Sequence, residues 1–141
     1  MSEFNGKWTK HSITGISEFL ELFGKAHLSE KAKSIGLDTH ILHGSDGKWK
    51  IARKYLQSGR TMVNEFTAGD EASFETLKAN IFAKFKTSFD GERLLLEGME
   101  RDFVQELSVE DGKLKEVLKF GDVKVVRYSF KNEVKETGCF A

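Results

Sequence analysis

Glycine turns set at regular intervals, in a chain without proline, constrain this sequence more than any other feature. After residue 36 they come as Asp46-Gly47, Gly59, Gly69-Asp70, Asp90-Gly91, Gly98, Asp111-Gly112 and Gly121-Asp122. Turns of this chemistry supply the positive φ that L-residues resist, and spacings of roughly 8 to 12 residues between many of them mark short antiparallel strands. The segments between the turns are rich in β-branched and aromatic residues. Lys78 to Lys86 alternates, with Ala79, Ile81, Ala83 and Phe85 on one face and mostly polar groups on the other. That is the period of a strand with one face inside. Asp102 to Leu107 and Gly121 to Arg127 follow the same period less cleanly.

The exception is Ile16 to Ile35. Ile16, Phe19, Leu20 and Phe23 recur at helical spacing, Ser17 is a candidate cap with Glu18 beside it, and Gly24 closes the helix. A second short helix is predicted from about Leu28 or Ser29 through Ile35, with Gly36 as its stop. The order is therefore one strand, two short helices and a long β-meander. Counting turns gives about ten strands, near 4–14, 37–44, 47–57, 60–68, 71–76, 77–87, 92–99, 101–109, 112–119 and 122–131. The expected fold is a mainly β, ten-stranded antiparallel up-and-down barrel, closed so that no edge is exposed, with the helix pair as a lid. More strands than the eight or so whose side chains fill a barrel leave a cavity, and small residues such as Ala79 and Ala83 leave room in it.

Composition narrows the function. With 141 residues and no boundary-like stretch, one domain spanning 1–141 is expected. The 22 basic residues balance 22 acidic ones, which removes the basic excess that a nucleic-acid binder needs. No apolar run approaches the roughly 18 residues of a membrane span, and Met1 to Lys10 lacks a signal peptide's apolar stretch. A cytoplasmic protein is expected. Cys139 is the one cysteine, so neither an internal disulfide nor a cysteine metal cage is available. His40 and His43 would sit on opposite faces of a strand, a poor metal pair. No nucleophile elbow and no phosphate-binding glycine loop is present, so binding is expected rather than catalysis, with no metal and no cofactor.

Several short motifs then resemble one family. Phe4-Asn5-Gly6-Lys7-Trp8 is similar to the opening Phe-x-Gly-x-Trp of the intracellular lipid-binding proteins, the fatty-acid-binding and cellular retinoid-binding family. Ser17 to Gly24 resembles its first portal helix, Phe66-Thr67-Ala68-Gly69 a strand ending in Phe-x-x-Gly, and Asp111-Gly112-Lys113-Leu114 the penultimate hairpin. Gly121 to Arg127 resembles the closing strand that carries an inward Arg. The resemblance runs from Phe4 to about Lys131 and leaves 132–141 as an extension. It implies a barrel with a helix-turn-helix lid that carries fatty acids or other lipophilic molecules without converting them. Family members that hold a carboxylate place one Arg in a Thr-x-x-Arg strand and another in a final Arg-x-Tyr. Here the first position falls on Gln105, a retinol-binder-like substitution, and the second on Arg127, followed two residues on by Ser129.

Arg127 is read as inward. A one-residue slip would instead turn Tyr128 and Phe130 inward, because a slip of one inverts every side chain. A guanidinium in a cavity offers five donors and stays ionised. It implies either an anionic ligand head or a standing partner such as an acidic side chain. Gln105 donates and accepts but neutralises nothing. The candidate ligand-binding set is Arg127, Gln105 and Ser129 or Tyr128 at the head, Phe19 and Phe23 from the lid, and Ala79, Phe85 and Phe103 from the wall. A long-chain fatty acid or similar carboxylate is the expected ligand of a monomeric carrier. The alternatives are a retinoid or conjugated pigment, or a filled barrel that acts as a protein-interaction module. Lys25, His27, Lys31 and Lys33 make the lid locally basic, which suggests transient contact with anionic membranes.

Overall fold

The computed structural model describes residues 2–75, 82–99 and 102–132. Ten strands form one antiparallel sheet that is rolled almost shut. They are β1 (Gly6–Thr14), β2 (Leu37–His43), β3 (Lys48–Tyr55), β4 (Thr61–Thr67), β5 (Glu71–Glu75), β6 (Phe82–Phe89), β7 (Arg93–Gly98), β8 (Phe103–Glu110), β9 (Lys113–Phe120) and β10 (Val123–Asn132). Their order in the sheet is β4-β3-β2-β1-β10-β9-β8-β7-β6-β5, so the meander closes through its first and last strands. The expected count of ten is met. The expected sixth strand, 77–87, is observed over 82–89, and Ala79 and Ile81 lie outside the described residues.

Period-two patterning sorts the side chains. On β3 the even residues Lys48, Lys50 and Lys54 face out, while Trp49, Ile51 and Arg53 face in. Phe4, Trp8, Ile41, Ile51, Leu94, Leu96, Leu107 and Leu114 are buried in one core that lies toward the closed end of the barrel. The Trp8 indole N–H donates to the Phe4 carbonyl at 2.9 Å, so the N-terminal turn is tied beneath the floor.

β4 and β5 follow each other in sequence but form no ladder. Rings of Phe66 and Phe74, 5.2 Å apart, face each other across this seam. At one end it is stitched by β6, where Thr87 accepts from Gly69 N at 3.0 Å and donates from its own N to Asp70 O at 3.1 Å. The Thr87 hydroxyl adds a 2.7 Å bond to Asp70 O.

The lid holds α1 (Ile16–Glu21), a single 3-10 turn at Ala26–Leu28, and α2 (Ser29–Ser34). Six-residue helices are too short to persist alone. Ser17 does not cap α1, contrary to expectation. The cap position is Gly15, which has φ 81° and no side chain to offer. Backbone packing dictates that choice, since a Cβ on Gly15 would stand 2.1 Å from the Lys124 carbonyl of β10. Two polar straps hold the far end of the lid. Lys10 Nζ donates to Lys33 O at 3.0 Å and Ile35 O at 2.8 Å. Gln57, in the β3–β4 turn, donates to Ser34 O and accepts from Gly36 N, both at 2.9 Å. α1 is held differently, by the rings of Phe19 and Phe23 against Phe120.

Gly24 also has positive φ, at 69°, but nothing lies within 4 Å of its would-be Cβ. Gly24→Ala is expected to cost about 1 kcal/mol, the left-handed penalty alone. Gly15→Ala adds a clash with backbone and should cost several times as much. Urea unfolding of the two variants measures the difference, and equal costs would refute the account of Gly15.

Candidate functional site

Three charged side chains meet inside the barrel. Glu116 stands on the inward face of β9, between Leu114 and Leu118, and is 3% exposed. Its neighbour across the β9–β10 ladder is Arg127. Arg127 Nε and Nη2 both lie 3.0 Å from Glu116 Oε2. The other carboxylate oxygen accepts from Arg53 Nη2 at 2.5 Å, and Arg53 Nη1 donates to Thr39 Oγ1 at 3.2 Å. Gln105 of β8 completes the cluster, with Nε2 3.4 Å from Glu116 Oε1. β3 and β9 are separated in the sheet by β2, β1 and β10. The Arg53–Glu116 pair therefore spans the interior.

The electrostatics follow from this geometry. Burial alone would raise the Glu116 pKa, but Arg127 and then Arg53 outweigh it and hold the carboxyl down to about 2. Burial likewise works against the Arg53 cation, and Glu116 with Tyr55 more than restores it, so its pKa is raised. Glu116 and Arg53 are therefore both ionised at neutral pH. Two positive charges face one negative, which leaves the cluster one positive charge in excess. At the rim, burial and the nearby Arg127 lower the pKa of Lys10.

Aromatic rings make up much of the rest of the interior. Phe23 of the lid is 5.7 Å from Phe120, Phe120 is 6.3 Å from Phe103, and Phe103 is 5.8 Å from Phe85. The path continues through Phe74 and Phe66, each step 5.2 Å, and reaches Trp49 at 6.3 Å. Lid and floor are thus joined by successive ring contacts. At the floor His43 is stacked on Trp49 at 3.8 Å and shares a 2.8 Å hydrogen bond with Ser2 Oγ. His40 is on the opposite parity of β2, facing out.

The structure brings Arg127 and Gln105 together, with Ser129 buried one pleat further along the same face. Phe85, Phe103, Phe19 and Phe23 all belong to the ring path, although Phe23 keeps 45% of its surface exposed. Tyr128 does not join them. The β9–β10 ladder runs without a slip from Val123↔Phe120 to Phe130↔Lys113, so Tyr128 and Phe130 face out. Lys115 Nζ lies 6.0 Å from the Tyr128 ring there, and Phe130 is stacked with His11 at 4.1 Å. The irregularity that sequence reasoning allowed for exists, but on β1, between Lys10 and Ser12.

Arg53, Glu116 and Thr39 were missed. The signal lay in the alternation itself. In Leu114-Lys115-Glu116-Val117-Leu118 a charge occupies the parity of two leucines, and in Trp49-Lys50-Ile51-Ala52-Arg53 an opposite charge follows Trp and Ile. Two opposite charges on inward parities call for each other.

The profile of the lipocalin / cytosolic fatty-acid binding protein family matches residues 2–133. The chain belongs to that family. No curated protein matches the chain by sequence. Among solved structures, zebrafish ileal bile acid-binding protein complexed with cholic acid is similar at 26% identity and TM-score 0.79, over 93% of this chain and 100% of that one. Echinococcus granulosus fatty-acid-binding protein 1 matches at 19% identity and TM-score 0.77, over 93% of this chain and 98% of that one. A Schistosoma mansoni fatty acid binding protein in complex with arachidonic acid matches at 16% and 0.77, over 94% of this chain and 98% of that one. The last two likenesses concern the fold alone. Among the described residues, no helix of this family member is long and apolar enough to cross a membrane.

The Glu116 pKa carries a consequence for stability. Because the carboxyl is held near 2 in the fold against an ordinary 4.5, its contribution is complete above pH 4.5 and fades as pH falls toward 2. Glu116→Gln should flatten the loss of stability across that window. Denaturant melts at several acid pH values read this directly, and an unchanged slope would show that other carboxylates govern acid unfolding.

Proposed function

We propose that this protein is a non-enzymatic carrier that holds one lipophilic molecule with a carboxylate head, such as a long-chain fatty acid, inside the barrel. One observation carries the reading: an interior of aromatic rings holds two arginines against a single carboxylate. A buried positive charge without a partner is costly. A ligand carboxylate at Arg127, with Gln105 and Ser129 beside it, would supply the missing negative charge and accept the guanidinium's remaining donors. The ring path supplies the apolar burial on which affinity rests. Family membership supports carriage over catalysis. Matter returned unaltered is what a barrel with no nucleophile–base pair at its head site should give.

In this reading the protein works as a cytoplasmic monomer. The ligand passes under the lid, which must release the Gln57 and Lys10 straps or lift α1 from Phe120. Leu22, Phe23 and Leu28 are exposed on the lid beside Lys25, Lys31 and Lys33. That mixture of apolar and basic groups suits brief contact with an anionic bilayer during loading. A retinoid or conjugated pigment is the second reading, favoured by the successive rings from Phe120 to Phe66 and by Gln105 at the head.

Native mass spectrometry of the purified protein, followed by extraction and an absorbance scan, tests the proposal. A fatty acid at one per chain is the expected result. Arg127→Ala should then weaken palmitate binding tenfold or more, about 1.4 kcal/mol or greater. Stoichiometric retention of a coloured or uncharged ligand, undiminished in Arg127→Ala, would favour the second reading. A chain that refuses fatty acids, retinoids and pigments alike would leave the filled interaction module.

A further inference from the structure

The head site differs from a simple anion receptor because an anion is already built into it. Glu116 takes two contacts from Arg127, one from Arg53 and one from Gln105, with both of its oxygens engaged. Its carboxylate is buried and held by three side chains. It is therefore a fixed charge, subtracted from the two guanidiniums whatever the ligand. We propose that Glu116 is the residue that sets the charge of the accepted head group, limiting it to one negative charge; this rests on the carrier reading above.

The charge at this spot is set by three side chains. Arg53, Arg127 and Glu116 sum to one positive charge. A monoanion brings the site to neutrality. A dianion leaves one negative charge in excess beside Glu116, and an uncharged head leaves the positive charge uncompensated. In a medium of low effective dielectric, either imbalance is far more expensive than in water. Gln105, also on the inward face, is uncharged and does not change the sum. Lys10 at the rim is engaged by the Lys33 and Ile35 carbonyls. Its field is the same in every variant below, so it cancels from the change in each affinity ratio between one variant and another.

Nothing in the rule depends on which lipophilic tail is bound. It does require that Glu116 act through its charge and not only as a tie between β3 and β9. Glu116→Gln keeps the shape and one carbonyl acceptor while raising the sum to two. Arg53→Gln lowers the sum to zero. Both changes together return it to one, with Arg127 as the remaining charge.

The test uses the full-length, delipidated protein and three probes with the same chain: hexadecanoate, hexadecylsuccinate and hexadecanol. Affinities are measured by displacement of a fluorescent lipid at mildly alkaline pH, where both carboxyls of the succinate are ionised. The native protein should rank the monoanion first. Glu116→Gln should shift the dianion-to-monoanion affinity ratio at least tenfold toward the dianion, and Arg53→Gln should bring the alcohol level with the acid or above it. The double variant should put the monoanion first again, even if all its affinities fall. A residue that merely braced the walls would not restore an order in this way. One ranking common to every folded variant would overturn the charge rule while leaving the carrier reading intact. Failure of the native protein to bind any of the three would overturn both. Should Glu116→Gln fail to fold, Arg53→Gln against the double variant decides alone, because their sums differ by one charge.

Discussion

The ladder between β1 and β10 is the interaction on which this molecule depends. It joins the two ends of the meander, from Lys7↔Asn132 to Thr14↔Val126, and turns a twisted ribbon into a vessel with an inside. Before that pairing forms, inward and outward parities have no meaning for either end strand. Its bulge at Lys10 to Ser12 matters as much as its register. The extra residue lets His11 lie outside against Phe130, while Lys10 reaches up to the lid. Closure and lid attachment thus come from one strand.

Inside the vessel, charge and aromatic surface are set against each other. A buried ion pair is seldom a device for stability, since the cost of removing two charges from water often matches what they gain together. Glu116 and its arginines do tie β3 to β9, which share no ladder bond. An apolar pair of the same size would tie them equally well. What an apolar pair would lack is a net positive charge held inside the barrel. The interior is accordingly not a plain hydrocarbon core. It is a surface of rings with one electrically unbalanced spot.

Most of the architecture was legible from turn chemistry and alternation, because both are local properties of the chain. Asp46-Gly47, Asp90-Gly91 and Asp111-Gly112 announce hairpins wherever they stand, and each does join two paired strands, β2 to β3, β6 to β7 and β8 to β9. The cap of α1 was not legible. Ser17 has the right side chain, but the requirement at Gly15 comes from the Lys124 carbonyl, more than a hundred residues away. The head site was half legible for the same reason. Arg127 could be read as inward and in need of a partner, yet nothing near it in sequence says that Arg53 lies across the barrel. Tyr128 was a candidate only as the outcome of a one-residue slip in the last strand, and the β9–β10 ladder has none. Register is settled between strands, and a single strand does not carry it.

The seam between β4 and β5 gives the barrel a property that its ladders deny it elsewhere. A ring laced by backbone hydrogen bonds around its whole circumference has a set girth, and widening it means breaking a row of them. Here, among the described residues, one line is bridged by rings of Phe66 and Phe74 and fastened at one end through Thr87. Rings slide and re-pack at small cost compared with a row of broken amide bonds. The barrel is therefore built like a split collar, laced by backbone bonds from strand to strand on every side but this one.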